Sequence, residues 1–249
     1  MKTTWTTPAG TTYRLYADML QQPHLLIAGA TGSGKSVLLN GLIATALYKA
    51  PCDIGFILID PKLTELGQYA RLPHTIYYGC KPAEIVTALE KANALVDQRL
   101  KEMKNAGLRL WQGARVYVII DEFAPIMVDK ALRKVCLPLV QRLGLIARAA
   151  GVSMIACTQT VKADVLPTTV TCNFDARVAL RTSTAQQSRM IVDRAGCELF
   201  PSPATAHRAQ CFYRNGADIT CWNVPYVPET ELARLCSWWM DRTHTRRRF

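Results

Sequence analysis

Gly29, Gly34, Lys35 and Ser36 stand at the fixed intervals of the pattern G-x-x-x-x-G-K-[ST]. The chemistry that this spacing serves is phosphate binding. Glycines let successive backbone N–H groups curl round an anion with no Cβ in the way. A helix that starts just after them turns its free N–H groups and the positive end of its dipole onto the same anion. The lysine then meets β- and γ-phosphates as a point charge, and the hydroxyl can ligate Mg²⁺. Gly29, Ala30, Thr31, Gly32, Ser33, Gly34, Lys35, Ser36 and Val37 are therefore the candidate contacts to a nucleoside triphosphate, with Ser36 a candidate Mg²⁺ ligand.

A second set of residues fits the same chemistry. Val116-Tyr-Val-Ile-Ile is an apolar run that ends in Asp121 and Glu122. In enzymes built on such a loop, the first acid holds Mg²⁺ and the second can polarise an attacking water. Mg²⁺ takes hard oxygen ligands and keeps several waters, so Asp121, Ser36 and the phosphates suffice. An apolar run ending in two acids is weak by itself; behind the phosphate loop it becomes informative. Two further apolar runs, 54–59 and 152–157, end in Asp60-Pro-Lys62 and Thr158-Gln159, so polar groups emerge where strands of open α/β sheets present ligands.

Elements of two periods must position these groups. Leu25 to Ala28 reads as a buried strand, and Val37, Leu38, Leu39, Leu42, Ile43 and Ala46 as a buried helix ending near Pro51. A short strand near 75–78 precedes a helix with Pro82 at its first position and Ile85, Leu89, Ala92, Leu95, Val96 and Leu100 at helical spacing. Arg99, Lys101 and Lys104 lie towards its far end, with Arg109 beyond Gly107, a charge run of the kind that most often forms a solvated face. A helix over 130–150 stops at Gly151. A strand over 177–181 follows, and Ser183-Thr-Ala-Gln186 resembles a capping box opening a helix through Val192. Runs 209–213 and 218–222 bracket Asn215-Gly216, the strongest short hairpin signal. Pro228 opens a last helix whose Leu232, Leu235, Trp238 and Trp239 form an apolar stripe.

Strands alternating with helices predict an α/β fold with a mostly parallel central sheet flanked by helices. One domain over residues 1–242 is expected, starting with a small β unit over 1–20 around the turn Pro8-Ala-Gly10 and followed by a basic disordered tail over 243–249.

Composition bounds the class. The 249 residues are 49% hydrophobic and 20% charged, enough for a large core in a chain of ordinary solubility, and no apolar run approaches the ~20 residues that span a bilayer. The N-terminus lacks the apolar core of a signal peptide, so a cytoplasmic location is expected. Nine scattered cysteines without a C-x-x-C pair, among them Cys136, Cys157 and Cys221 in apolar segments, read as reduced core thiols. The net charge of +11, from 30 Lys and Arg against 19 Asp and Glu, favours a phosphate backbone or anionic membrane as partner.

Taken together the motifs resemble the FtsK/SpoIIIE DNA translocases. Pro23-His-Leu-Leu-Ile-Ala-Gly-Ala-Thr-Gly-Ser-Gly-Lys-Ser-Val37 is similar to their Walker A region, and Ile59-Asp-Pro-Lys-Leu-Thr-Glu-Leu66 with Leu72-Pro-His74 to their "IDPK…EL…PH" segment. Val118-Ile-Ile-Asp-Glu-Phe-Ala124 resembles their Walker B, Ala147-Arg-Ala-Ala-Gly151 with Ala156-Cys-Thr-Gln159 their "ARAAG…ATQ", and Ser188-Arg-Met-Ile-Val-Asp-Arg-Ala-Gly196 their "SRTILDQAG". The blocks keep the family's order across about residues 23–240. The resemblance implies a RecA-like P-loop ATPase that uses ATP and Mg²⁺ and assembles as a homo-oligomeric ring, typically a hexamer, around duplex DNA. It also implies roles by position: Glu122 activating water, Gln159 as polar sensor of the γ-phosphate, Arg148 as a finger reaching a neighbouring subunit's nucleotide, and Arg189 as a second arginine candidate.

The departures shape the expectation. The family's membrane segments, linker and winged-helix module have no counterpart between residues 1 and 249, "TQRP" is Thr158-Gln-Thr-Val161, and the insertion before Walker B shrinks to residues 107–115. A stripped motor of a phage, plasmid or integrative element is expected, with a separate protein as possible membrane anchor or DNA loader. Lys162 and the segment to Thr171 are the first candidate pore loop and the Arg99 to Arg115 group, with Arg99, Lys104 and Arg109 as its candidate DNA contacts, the second. The alternatives are a conjugation coupling or viral packaging motor, a secretion ATPase that moves polypeptide, and an assembly protein gated by nucleotide.

Overall fold

The computed structural model describes residues 14–50, 52–206 and 208–241. Its strands are β1 (His24–Ala28), β2 (Ile54–Ile59), β3 (Thr75–Gly79), β4 (Arg115–Ile120), β5 (Val152–Thr158), β6 (Ala176–Ala179), β7 (Ala209–Asn215) and β8 (Asp218–Val224). They form one sheet in the order β3-β2-β4-β5-β1-β6-β7-β8. The first six strands run parallel, and the β7–β8 hairpin extends one edge antiparallel. The helices are α1 (Arg14–Met19), α2 (Lys35–Lys49), α3 (Pro82–Asn105), α4 (Ala124–Val128), α5 (Lys130–Ile146), α6 (Thr168–Thr171), α7 (Ala185–Val192), α8 (Pro203–Ala206) and α9 (Glu229–Met240). This is the mostly parallel α/β architecture that the alternating pattern predicts.

β1, β2 and β5 are buried at every residue because helices cover both faces, which is why they read as continuous apolar runs. The two-residue period of a strand then splits the core in two. Phe56, Leu58, Ile119 and Ile155 join Leu38, Leu42 and Trp239 on the face of α2 and α9. Ile57, Ile59, Val118 and Ile120 join Leu89, Val96, Val140 and Leu143 on the face of α3 and α5.

Several expectations are corrected. Residues 1–13 and 242–249 lie outside the described residues, and with them most of the expected N-terminal β unit and the tail. Residues 14–19, assigned to that unit, are helical as α1, because Tyr16 and Met19 are buried against the α2 core and the Tyr16 hydroxyl donates to Pro225 O. The cap of α7 is one residue later than expected: the Thr184 hydroxyl accepts from Gln187 N, while the Gln187 side chain accepts from Ser183 N. Cys136 and Cys157 are buried with Cys197, Cys211 and Cys236, but Cys52 and Cys172 are exposed, Cys80 is half-buried, and Cys221 is exposed on the edge strand β8. Trp239 is buried in the core and Trp238 is 44% exposed. No helix among the described residues is long and apolar enough to cross a membrane.

Candidate nucleotide site

β4, β5 and β1 are adjacent, and their carboxyl ends bring the sequence motifs together. The loop after β1 is tied to both neighbouring strands' ends: Gly29 N donates to Thr158 O at 3.2 Å and Ala30 N to Arg181 O at 2.8 Å. Gly34 adopts φ 97°, and a Cβ there would sit 2.5 Å from the Ala209 Cβ on β7. Only glycine fits both that backbone angle and that close approach. The loop then feeds α2, whose first N–H groups have no intrahelical acceptor. Ser33 Oγ is buried and without a partner among the described residues. A buried polar atom without a partner, in a cradle closed by glycine, suits the oxygen-rich surface of a phosphate.

Lys35 and Asp121 form a buried pair. Lys35 Nζ contacts Asp121 Oδ1 at 2.8 Å and donates to Asp121 O at 2.7 Å, and Lys35 is 6% exposed. Burial works against the ammonium, but the neighbouring Cys157, the charge and hydrogen bond of Asp121 and the charge of Glu122 together outweigh it and hold the lysine above its ordinary value. Glu122 is 1% exposed and accepts from Thr158 Oγ1 at 2.8 Å, Gln159 N at 3.1 Å, Ala124 N at 3.3 Å and Lys62 Nζ at 3.2 Å. Thr31 Oγ1, in the phosphate loop, donates to Gln159 Oε1 at 2.9 Å. Loop, Asp121, Glu122 and Gln159 are thus one connected polar cluster. Ser36 and Asp121 offer the hard oxygens that Mg²⁺ prefers, so the side chains present fit the metal that the motif implies.

Asp60, Lys62 and Glu65 stood in segments recognised from sequence but were given no role in the site. The buried Asp60 carboxylate accepts the N–H groups of Thr64, Glu65 and Leu66, which shapes a tight turn after β2. Leu63 in that turn has φ 58°, a conformation non-glycine residues seldom adopt. The turn sends Lys62 to Glu122 and Glu65 to the Ser36 hydroxyl. The signal was present, polar residues at a strand's carboxyl end, but not their targets. A further feature is a cleft of about 580 Å³ beside Gly34 and Val37, lined also by Pro203, Arg208, Ala209 and Tyr226. It is large and apolar enough for a nucleobase, and it exists only because the β7–β8 hairpin returns to the side of the loop.

The other candidates lie apart. Arg148 is exposed in the turn after α5, at the amino end of β5. Gln159 follows the carboxyl end of this seven-residue strand, ~20 Å away at roughly 3.3 Å per residue. Lys162 is exposed close to Gln159, while Lys104 and Arg109 are exposed at the amino end with Arg148. Arg189 is exposed on α7. Arg99 is not a surface cation: it is 1% exposed, so a direct DNA contact by its side chain is corrected. Its position at the 92, 96, 99, 103 spacing of the buried stripe of α3 is the signal that could have placed it inside.

The model of the FtsK/SpoIIIE family matches residues 7–212. This chain belongs to that family. A curated member, the DNA translocase FtsK of Vibrio vulnificus (strain CMCP6), is 34% identical over 245 residues, covering 78% of this chain and 24% of that protein. The DNA translocase FtsK of Rickettsia bellii (strain RML369-C) is 30% identical over 265 residues, covering 89% of this chain and 35% of that protein. The chain therefore spans about a quarter to a third of the length of these FtsK relatives. Among solved structures, the conjugation coupling protein TcpA of pCW3, in its monomer form with ATPγS, superposes with a TM-score of 0.75 at 19% identity, over 95% of this chain and 70% of that one. The RecA-like P-loop ATPase fold of the FtsK/SpoIIIE family is thereby established for this chain.

Proposed function

We propose that this chain is the motor of an ATP-driven DNA translocase, working in the cytoplasm as a homo-oligomeric ring, a hexamer, around duplex DNA. The observation that carries the reading is the single polar cluster joining buried Lys35, Asp121 and Glu122 to half-buried Gln159 at the carboxyl ends of three adjacent strands. Loop amides, Ser33 and Lys35 bind the triphosphate of ATP, with the base in the Tyr226 cleft. Lys35 reaches the phosphates by exchanging its Asp121 partner for phosphate oxygens. Ser36 and Asp121 would hold Mg²⁺, which would supply positive charge to offset the negative charge developing on the phosphates. Glu122 takes the proton of the attacking water as its oxygen bonds to the γ-phosphorus and the bond to ADP breaks, yielding ADP and phosphate. Gln159, linked to both Thr31 and Glu122, lies where it senses whether the γ-phosphate is present.

Arg148 is too far from its own loop to serve it, so it acts on the nucleotide of a neighbouring copy. An arginine supplied in this way offsets transition-state charge and is worth about 10³–10⁵ in rate. The net charge of +11 supports a polyanionic cargo, held through its backbone rather than its base edges. Lys162 at one end of the sheet, and Lys104 and Arg109 at the other, are the candidate DNA contacts.

The test is ATP hydrolysis with and without linear duplex DNA at about 50 and 200 mM salt. Stimulation several-fold by DNA, weakened by salt and absent in Lys35→Ala, is expected. Equal rates with and without DNA at both salts would contradict the cargo and direct the search to a polypeptide.

A further inference from the structure

We infer that Arg99 and Trp111 are positioning residues for Arg148: a buried guanidinium stacked on an indole fixes the turn that presents the arginine to a neighbouring copy. The inference rests on the reading of Arg148 given above. It starts from the turn over residues 147–151, where every carbonyl has a donor. Two are held within the turn, Ala147 O by Val152 N at 3.0 Å and Arg148 O by Gly151 N at 3.2 Å. Three are held from outside. Trp111 N donates to Ala149 O at 2.9 Å, and Arg99 Nη1 donates to Ala150 O at 3.0 Å and to Gly151 O at 3.3 Å, the last shared with Val116 N. The backbone under Arg148 is pinned on all sides while its side chain stands in solvent.

The two outside residues also hold each other. The Arg99 guanidinium carbon lies 4.6 Å from the centre of the Trp111 ring, a cation–π distance. The indole N–H donates to Ala114 O at 3.2 Å, which anchors the ring to its own loop. The ring covers Gly151, where a Cβ would stand 2.7 Å from Trp111 Cδ1 and where φ is +67°. Gly151 is thus demanded twice, by the turn and by the ring above it.

Stability alone is a poor account of Arg99. Its Nε and Nη2 are buried with no acceptor among the described residues, and no carboxylate bonds to it there. A buried cation with unpaired donors is costly, and an apolar side chain would pack the same site with less penalty. What only a guanidinium supplies here is a rigid planar group that bonds two successive carbonyls and stacks on a ring at once. Its charge also lies beyond the C-terminal end of α5, where the helix dipole favours a cation.

The stack therefore joins three segments: α3 through Arg99, the loop 107–114 through Trp111, and the turn of Arg148. The same loop exposes Arg109 and Leu110, so anything that displaces it pulls on Ala149 and thereby on Arg148. A shift near 1 Å at a group acting on the transferring phosphoryl is worth up to ~10²-fold in rate.

A double-mutant cycle on DNA-stimulated ATP hydrolysis tests this. Trp111→Leu and Arg99→Lys, each alone, should lower kcat about tenfold to a hundredfold with KM and the affinity for a fluorescent ATP analogue unchanged. In the Arg148→Ala background, the same substitutions should change kcat less than twofold, because they act only through Arg148. An unchanged kcat in both single variants overturns the inference. So does the same fractional loss with and without Arg148, which would mean that the pair supports the fold at large. If Arg148→Ala itself leaves kcat unaltered, the reading of Arg148 fails first and takes the inference with it. Arg99→Lys keeps the charge, and Trp111→Leu keeps an apolar cover, so nucleotide affinity reports a folded site in either variant.

Discussion

The two ends of the parallel sheet treat buried charge in opposite ways. At the carboxyl end, ionic groups face one another: Lys35 pairs with Asp121, and Lys62 with Glu122. Such pairs can trade a protein partner for a phosphate, a metal or a water without leaving a charge stranded. At the amino end, Arg99 is buried against carbonyls and a ring, with no carboxylate bonded to it among the described residues. The first end is built to change partners and the second to keep them. In the reading proposed above, a working site needs both: the exchangeable end of one copy and the fixed end, bearing Arg148, of the next.

Substitutions at four positions probe this contrast. Arg148→Ala should lower kcat of the assembled protein by about 10³–10⁵ while nucleotide affinity holds, as followed by single-turnover hydrolysis and by titration with a fluorescent nucleotide. A comparable loss of affinity would place Arg148 in ordinary binding instead. Glu122→Gln should cost about 10²–10⁴ in kcat and also leave binding intact, because the amide keeps the shape but accepts no proton. Tyr226→Ala should weaken nucleotide binding by ~1–3 kcal/mol, the range for a base on an aromatic ring, with kcat at saturation nearly unchanged. A kcat effect without an affinity effect would remove Tyr226 from the base cleft.

The smallest effect belongs to His24 at the amino end. It is 3% exposed, and its Nδ1 accepts from Met154 N at 3.1 Å. Burial lowers its pKa from 6.5 to about 4, helped by nearby Arg148 and opposed by Asp175. Between these values the unfolded chain binds a proton that the folded chain refuses, so stability falls as pH drops from about 6.5 to about 4. Urea midpoints across that window should decline in the wild type, and His24→Gln should flatten the part of the slope that His24 supplies.

What could be read from the sequence follows how far apart the cooperating residues lie. The phosphate loop, the Asp121-Glu122 pair and the strand ending at Gln159 are contiguous signals, each a strand plus the polar residues that leave it, and the structure assembles them on neighbouring strands. The β7–β8 hairpin is equally local, turning at Gly216 with φ 62°. Lys62 and Glu65 stood in a recognised segment, yet their partners lie 60 and 29 residues away, and only strand order brings them together. The Tyr226 cleft depends on the hairpin folding back beside Gly34, which no local pattern carries. Arg99 was misread because a charge run outweighed its place on the apolar stripe of α3. Residues 14–19 were misread because the expected strand lost to the packing of Tyr16 and Met19 in the α2 core.

If the two ends complete each other between copies, a mixture of two inactive variants should show it. Lys35→Ala lacks a working loop but keeps Arg148; Arg148→Ala keeps the loop but lacks the arginine. Each alone should be close to inactive in DNA-stimulated ATP hydrolysis. Mixed in equal amounts and reassembled, they should regain a substantial fraction of wild-type activity, because some loops then face an intact Arg148. A mixture no more active than the two proteins assayed apart would contradict the claim.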